Sequence, residues 1–152
     1  MPEFECRTEI HALPEVVFDL ARDIDAHIRS QANARERAIA GVTTGLIGLG
    51  ESVTWRATHF GVPFKMTSKI TEFDRPRSFV DEQTRGPFKR FRHVHRFEQS
   101  TEGTTMIDHV QFDAPLSVLG RLVDRAILRR YMRSLIEERA VLLKAEAEAA
   151  TP

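Results

Sequence analysis

The chain has 152 residues, of which 41% are hydrophobic and 29% charged, a composition typical of one soluble globular domain. Its 22 basic and 22 acidic residues leave no net charge, so no overall field attracts the chain to nucleic acid or to an acidic membrane. The single cysteine, Cys6, excludes an internal disulfide and a multi-cysteine zinc site. With no leader-like start and no apolar run of about eighteen residues, the sequence predicts a cytoplasmic protein without integral membrane segments.

The first predicted elements are a strand and two short helices. Residues 3–12 alternate between apolar and charged side chains, and this period of two predicts a half-buried strand. Pro14 begins a predicted helix, because proline is tolerated in the first helical turn and an acidic residue follows it there. A second short helix is predicted around residues 24–28, and a weakly apolar strand over residues 35–40.

A glycine-rich segment, Gly-Leu-Ile-Gly-Leu-Gly at residues 45–50, follows this weak strand. A phosphate-binding loop needs a following Lys-Ser/Thr pair and a helix that begins at the loop, and the sequence provides neither. We therefore predict a connection between strands here and no phosphate site.

Five further alternating segments predict the body of a sheet. Short turns that contain glycine, proline or aspartate separate each segment from the next. Strands joined in this way form an antiparallel meander. The predicted strands cover residues 52–60, 64–73, 79–84, 88–97 and 104–113.

The segment at residues 88–97, Phe-Lys-Arg-Phe-Arg-His-Val-His-Arg-Phe, carries the most informative pattern. Side chains alternate across a strand, so one face carries Phe91, His93, His95 and Phe97, and the other is mostly arginine. Burying a polar group without a partner costs on the order of 1 to 3 kcal/mol. The aromatic face therefore requires partners for its imidazoles, and we predict that it faces a cavity.

From Leu116 the apolar period changes to about 3.6, which predicts one long C-terminal helix. The helix is expected to run to about Glu146 and to be longer than the strands. Its Ala/Glu-rich end, residues 146–152, is expected to fray. The predicted apolar stripe consists of Leu119, Leu122, Val123, Ala126, Ile127, Tyr131, Leu135 and Leu142.

The order of these elements resembles the helix-grip arrangement of the SRPBCC superfamily, which groups START lipid-transfer domains, Bet v 1-like proteins and polyketide cyclases/dehydrases. The resemblance covers essentially the whole chain, and is to the bacterial cyclase-like or cell-division-inhibitor-like members. It rests on Gly-Glu-Ser-Val-Thr-Trp at 50–55, Phe-Val-Asp-Glu-Gln at 79–83, Gly-Pro-Phe at 86–88, His-Val-His-Arg-Phe at 93–97, Gly-Thr at 103–104 and Asp108.

This resemblance implies an α+β fold, in which a curved antiparallel sheet of six to seven strands closes around the C-terminal helix, with two short helices after the first strand. It also implies a single ligand-binding domain over residues 1–152. An apolar cavity between sheet and helix is expected to hold a lipid, polyketide, isoprenoid or similar hydrophobic molecule. The superfamily has no invariant catalytic set, so no catalytic residue is transferred to this chain.

A set of cavity-lining residues follows if each strand turns its apolar side inward. An apolar wall with a few convergent polar groups is the usual composition of a small-molecule pocket. The alternative is a His–Asp network that is purely structural. No cofactor or metal is predicted, because nothing in the sequence shows that His59 or Asp81 converges with the other histidines. The predicted ligand contacts are Trp55, His59, Met66, Asp81, Gln83, Phe91, His93, His95, Asp108 and Tyr131.

Three functions remain open at this point. The preferred one is binding of a hydrophobic small molecule, with the histidines as anchors for its polar group. The second is a cyclase, aromatase or dehydratase for a carbonyl-bearing apolar substrate, with His93 or His95 paired to Asp81 or Asp108 as acid and base. The third is a protein-interaction module that uses the arginine-bearing face. No nucleic-acid partner is predicted, and monomer and homodimer both remain open.

Overall fold

The computed structural model describes residues 2–113 and 125–151, which form seven strands and three α-helices. The strands are β1 (Glu3–Ile10), β2 (Arg37–Gly41), β3 (Ser52–His59), β4 (Val62–Asp74), β5 (Ser78–Arg85), β6 (Arg90–Ser100) and β7 (Gly103–Asp113). The helices are α1 (Pro14–Ala21), α2 (Ile24–Ser30) and α3 (Arg125–Ala149), and a short 3-10 helix covers Ala32–Ala34.

All seven strands belong to one antiparallel sheet in the order β1-β7-β6-β5-β4-β3-β2. Strands β2 to β7 therefore form the predicted meander, and β1 pairs with β7. Bulges interrupt the β2–β3 and β4–β5 pairings, and such extra residues bend and twist a sheet. With α1 and α2 after β1 and the long α3 at the end, the predicted helix-grip fold is confirmed.

The alternation predicted for the central strand is also confirmed. On β6 the aromatic face is buried, with His93 and His95 exposing only 5% and 2% of their surface. Arg90 and Arg96 on the opposite face are exposed. The β6–β7 register runs without a shift, so nothing rotates the two histidines outward.

The glycine-rich segment is a connection between β2 and β3, as predicted. The Asp25 carboxylate accepts hydrogen bonds from the backbone N–H of Gly45 at 2.9 Å and from the Thr44 hydroxyl at 2.8 Å. Gly45 and Gly50 have φ angles of +74° and +79°, a region that glycine enters without steric cost. These contacts hold the loop against α2.

The predicted apolar stripe of the long helix is partly wrong. Ile127 and Leu142 are 57% and 49% exposed, whereas Leu143 and Ala147 are buried. A second row of apolar residues, about one position out of phase, contacts the rest of the protein: Leu128, Met132, Ile136, Ala140, Leu143 and Ala147. The predicted helical residues 116–124, including Leu119, Leu122 and Val123, lie outside the described residues.

The helix continues to Ala149 and so includes most of residues 146–152, the segment that was expected to fray. Ala147 has no exposed surface, and its small side chain lets the helix approach the first strand and α1 closely. Lys144 Nζ donates to the Glu9 carbonyl oxygen at 2.6 Å, and a Glu148 carboxylate oxygen accepts from the His11 backbone N–H at 3.1 Å. Among the helices the structure describes, none combines the length and apolar character needed to cross a membrane.

Candidate functional site

A cavity of about 470 Å³ lies between the sheet and the helices. Residues of β3, β4, β5 and β6 form one wall, and residues of α2 and α3 form the other. Its volume is within the range of pockets that hold small organic ligands. The apolar part of the wall includes Ile47, Trp55, Phe64, Met66, Phe91, Leu128 and Met132.

Most of the predicted ligand contacts line this cavity: Trp55, His59, Met66, Asp81, Phe91, His93, His95 and Tyr131. Gln83 and Asp108, which were also predicted as direct contacts, are not among the lining residues. The Gln83 amide nitrogen donates to the Phe88 carbonyl oxygen at 2.7 Å, and its amide oxygen accepts from the Phe88 N–H at 3.3 Å. Gln83 therefore fixes the β5–β6 turn and places Phe88 in the cavity wall.

Asp108 lies behind the two histidines, in a cluster that also includes Asp81. In the strand register Asp81 is opposite His93, and His95 is opposite Asp108. The hydrogen bonds run diagonally across this register. His93 Nε2 is 2.8 Å from Asp108 Oδ1, and His95 Nε2 is 2.7 Å from Asp81 Oδ2. The imidazole rings stack with their centroids 3.7 Å apart.

Each carboxylate in this cluster also approaches the other imidazole. His93 Nδ1 lies 3.9 Å from Asp81 Oδ2, and His95 Nδ1 lies 3.2 Å from Asp108 Oδ1. The second contact is not aligned as a hydrogen bond. Within residues 2–113 and 125–151, His95 Nδ1 is the buried side-chain nitrogen or oxygen that lacks a hydrogen-bond partner.

The charges in the cluster are set by burial and by these contacts. Burial raises the pKa of Asp108, but the hydrogen bond from His93 and the close contact with the His95 ring outweigh it and hold the pKa far below its ordinary value. Burial and the neighbouring His95 lower the pKa of His93. Burial also opposes a charge on His95, but Asp108 and Asp81 raise the pKa of its ring. The cluster thus favours a proton on His95, which lies between the two carboxylates, over a proton on His93.

Arg139 completes the charge balance and was missed by the sequence analysis. It lies on α3, is only 5% exposed, and its Nη1 is 4.0 Å from Asp108 Oδ1. Its Nη2 donates to the Ala21 carbonyl oxygen at 2.7 Å. The signal available in the sequence was its spacing, because it follows Ile136 by three residues and precedes Leu143 by four.

Similarity to known proteins supports the structural assignment. Residues 1–148 match the model of the family described as polyketide cyclase/dehydrase and lipid transport. The chain belongs to this family. A comparison with curated protein sequences gives no significant match.

Solved structures share the fold of this member of the family. TTHA0849 from Thermus thermophilus is 21% identical with a TM-score of 0.81, covering 99% of this chain and all of its own. A START superfamily protein from Mycobacterium smegmatis is 12% identical with a TM-score of 0.75, covering 98% and 99% of the two chains. Ara h 8.0201 is 12% identical with a TM-score of 0.68, covering 97% and 98%. These neighbours show the same fold as the present chain.

Two further polar positions in the cavity of this family member lie away from the cluster residues. His59 Nδ1 is 2.7 Å from the Tyr131 hydroxyl oxygen, and burial lowers the pKa of His59. His27 stacks on Trp55 with centroids 4.3 Å apart, and its Nε2 is 2.8 Å from a Glu36 carboxylate oxygen. Neither His27 nor Glu36 was predicted from the sequence, because both belong to segments that carry no strong strand or helix pattern around them.

The arginine-bearing face of β6 is largely engaged with acidic residues of the same sheet. Arg92 contacts Glu72 at 3.0 Å and Glu82 at 3.6 Å, and Arg96 lies 3.7 Å from Glu5. Pairing of this kind reduces the positive potential that the surface offers to an acidic partner. It gives no specific support to the interaction-module interpretation.

The cavity wall therefore combines apolar surface with groups that hydrogen bond, exchange protons or ligate a cation. His95 and Asp81 form a hydrogen-bonded acid–base pair on this wall, and the Asp81 side chain is 19% exposed. Asp81, His93 and His95 also present ligand atoms within 4.8 Å of one another. The same three residues are thus suited to anchor a polar group, to transfer a proton, or to bind a metal ion.

Proposed function

We propose that this protein binds a hydrophobic small molecule of lipid, polyketide or isoprenoid type in the cavity between sheet and α3. The observation that carries the proposal is the apolar cavity of about 470 Å³ with a buried His–Asp cluster in its wall. The family description names both polyketide chemistry and lipid transport, and both concern molecules with large apolar parts. The proposal includes a cytoplasmic location and no nucleic-acid partner, in line with the single buried cysteine and zero net charge.

The hydrophobic effect would hold the apolar part of the ligand, because binding removes its apolar surface from water. Each Å² of apolar surface removed from water contributes roughly 25 cal/mol, and Trp55, Met66 and Phe91 supply large apolar surfaces along the wall. The polar end would be oriented by the cluster, where Asp81 accepts hydrogen bonds and His93 and His95 offer ring nitrogens. His59 with Tyr131 provides a second polar contact.

Trp55 provides a direct test, because it is the only tryptophan of the chain and lines the cavity. We expect anilinonaphthalene sulfonate to bind with one site per chain and to change the Trp55 emission. Fatty acids or isoprenoid alcohols should compete with anilinonaphthalene sulfonate and displace it from the cavity. Native mass spectrometry of the freshly purified protein should show an additional mass that is lost on denaturation.

A cavity-filling variant and a matched control make this test specific. Ala57 lines the cavity and is 7% exposed, whereas Thr58 points to the opposite, exposed face of the same strand. Ala57→Phe should weaken probe binding at least about tenfold, and Thr58→Phe should leave it unchanged. Equal affinity of wild type and Ala57→Phe, with both folded, would place the probe elsewhere and contradict the proposal.

A second candidate function, acid–base catalysis, is favoured by the 2.7 Å contact between His95 and Asp81 on the cavity wall. Such a pair can remove a proton next to a substrate carbonyl and return a proton to a departing hydroxyl, which leaves as water. His95→Gln separates the two functions. In an enzyme it should abolish turnover while the substrate still binds, whereas in a binding protein it should only weaken ligand retention modestly.

A further inference from the structure

Three side chains from neighbouring strands converge on one point of the cavity wall. Asp81 on β5 and His93 and His95 on β6 offer ligand atoms that lie within 4.8 Å of one another. Asp81 Oδ2 is 2.7 Å from His95 Nε2 and 3.9 Å from His93 Nδ1. Two ligands bonded to one zinc ion in tetrahedral geometry stand about 3.4 Å apart. The two Asp81 distances lie on either side of this value, and each differs from it by less than about 1 Å.

Asp108 lies behind both histidines and is hydrogen-bonded to His93. Its Oδ1 atom lies 2.8 Å from His93 Nε2 and 3.2 Å from His95 Nδ1. The first contact is a hydrogen bond, which places the hydrogen on His93 Nε2 and leaves His93 Nδ1 with a lone pair toward Asp81. The second contact is close but is not aligned as a hydrogen bond. Metal-ligating histidines characteristically donate their other N–H to a carboxylate or carbonyl oxygen. Asp108 occupies that position for His93 and lies 3.2 Å from the corresponding nitrogen of His95.

A neutral His95 ring cannot donate a hydrogen bond to both of the carboxylates beside it. A neutral imidazole carries one ring N–H, but His95 lies between two carboxylates. If Nε2 donates to Asp81, then Nδ1 is a lone pair 3.2 Å from an Asp108 oxygen, and Nδ1 is the buried atom without a hydrogen-bond partner noted above. If Nδ1 carries the hydrogen, the Nε2 lone pair faces the Asp81 carboxylate. A second proton or a metal ion between His95 and Asp81 resolves this conflict.

We propose that Asp81, His93 and His95 bind one divalent transition-metal ion, represented by Zn²⁺, at the cavity wall, with Asp108 holding the His93 imidazole in the ligating orientation and lying beside His95. Two imidazoles and one carboxylate are a three-ligand set that leaves a coordination position open. Asp81 reaches the site from the cavity side, with 19% of its side chain exposed. The open position therefore faces the cavity.

The charges around the site indicate what the open position accepts. Two carboxylates, the Arg139 guanidinium and a divalent ion leave a net charge of +1 when both histidines are neutral. An anionic oxygen, such as a carboxylate or an enolate, would neutralise it. Metal binding itself requires no apolar ligand, so this inference stands or fails independently of the ligand-binding proposal.

The test uses the full-length protein, treated with a chelator and then titrated with ZnCl₂ in a calorimeter. We expect one ion per chain, and at least about 100-fold weaker binding in Asp81→Asn and in His93→Gln, since each variant loses a ligand. Asp108→Asn should weaken binding by about 10- to 100-fold, the range seen when an outer carboxylate is lost. His109→Gln, on the adjacent β7 position and bonded to Glu3 on the outer face, should match wild type.

A spectroscopic measurement on the wild type keeps the test decisive if a variant fails to fold. The Co²⁺-loaded protein should show visible absorption bands of a low-symmetry site and two hyperfine-shifted, exchangeable ring N–H signals, one from each histidine. Absence of stoichiometric Zn²⁺ binding, or one-to-one binding that survives both Asp81→Asn and His93→Gln, would overturn the inference. Either result would identify the cluster as a proton-balanced ion network without a metal role.

Discussion

Arg139 donates from Nη2 to the carbonyl oxygen of Ala21, 2.7 Å away and 118 residues earlier in the chain. Ala21 is the last residue of α1, and the final carbonyl groups of a helix have no partner within the helix. The guanidinium supplies that partner and a positive charge at the negative end of the helix dipole. One buried side chain thus connects α3, α1 and the Asp108 side of the cluster.

Replacing this guanidinium should therefore destabilise the protein. Arg139→Met keeps an unbranched apolar stem but leaves the Ala21 carbonyl without its partner and removes the positive charge near Asp108. We expect the free energy of unfolding to fall by about 1 to 3 kcal/mol, measured by urea denaturation. Arg133→Met is the matched control, because that side chain is 42% exposed and should change stability by less than about 0.5 kcal/mol. If the two variants had equal free energies of unfolding, the contacts of Arg139 with Ala21 and Asp108 would not stabilise the protein.

Cys6 is buried in the second apolar cluster beside Phe4 and Phe112. Burial raises the pKa of its thiol to about 11, and the thiolate is the reactive form of cysteine. At pH 7 to 8 the native protein should therefore react with a disulfide reagent such as dithionitrobenzoate orders of magnitude more slowly than the denatured chain. Absorbance at the product wavelength measures this directly. Similar rates for both forms would show that the thiol is accessible in the native protein.

Asp19 ties α1 to the β4–β5 turn through Arg75. Its carboxylate accepts two hydrogen bonds from Arg75, at 3.1 and 2.7 Å, and one from Arg22 at 2.9 Å. These bonds, that of Arg75 first, outweigh burial and lower the pKa of Asp19 below its ordinary value. A carboxyl group with a lowered pKa stabilises the folded state above its unfolded pKa, and that contribution disappears as the pH falls through the lowered value.

The corresponding variant should show a pH-dependent defect. Asp19→Asn should lower the urea midpoint at pH 7, because the amide keeps the shape of the side chain but loses the charge. The difference from wild type should shrink as the pH falls below about 4 and vanish once Asp19 is protonated in both states. A difference that is the same at pH 7 and pH 3 would assign the effect to packing.

Local sequence patterns predicted the orientation of the cluster because the central pairing is regular. The β6–β7 register has no shift along its whole length, so strict alternation placed both His93 and His95 inward. Strand β2 was harder to define, since its weak apolar pattern is interrupted by a bulge between Ala38 and Ala40. A bulge adds one residue to a strand, so the simple alternation of inward and outward side chains no longer predicts which face a residue occupies.

Strand alternation did not predict the hydrogen-bond partners of individual polar side chains, because these partners lie in other segments of the chain. Gln83 lies on the inward side of its strand, yet its amide bonds to Phe88 within the turn. Arg139 is buried between the Ala21 carbonyl oxygen at the end of α1 and the Asp108 carboxylate. A single sequence shows that such side chains are placed near the core but does not show which partner satisfies them.

The face that α3 buries also depends on contacts with segments that are distant in the sequence. α3 carries two apolar rows, one through Ile127 and Leu142 and one through Leu143 and Ala147. Packing against the first strand and α1 buries the second row.

Ala147 has no exposed surface, while Ala145 is exposed on the same helix. Ala147→Leu should cost about 1 to 3 kcal/mol of unfolding free energy through overpacking, measured by thermal and urea denaturation. Ala145→Leu should be nearly neutral, since leucine is also a good helix former. If both substitutions were tolerated equally, the end of α3 would not be packed against the body of the protein, and the sequence-based expectation of a frayed end would stand.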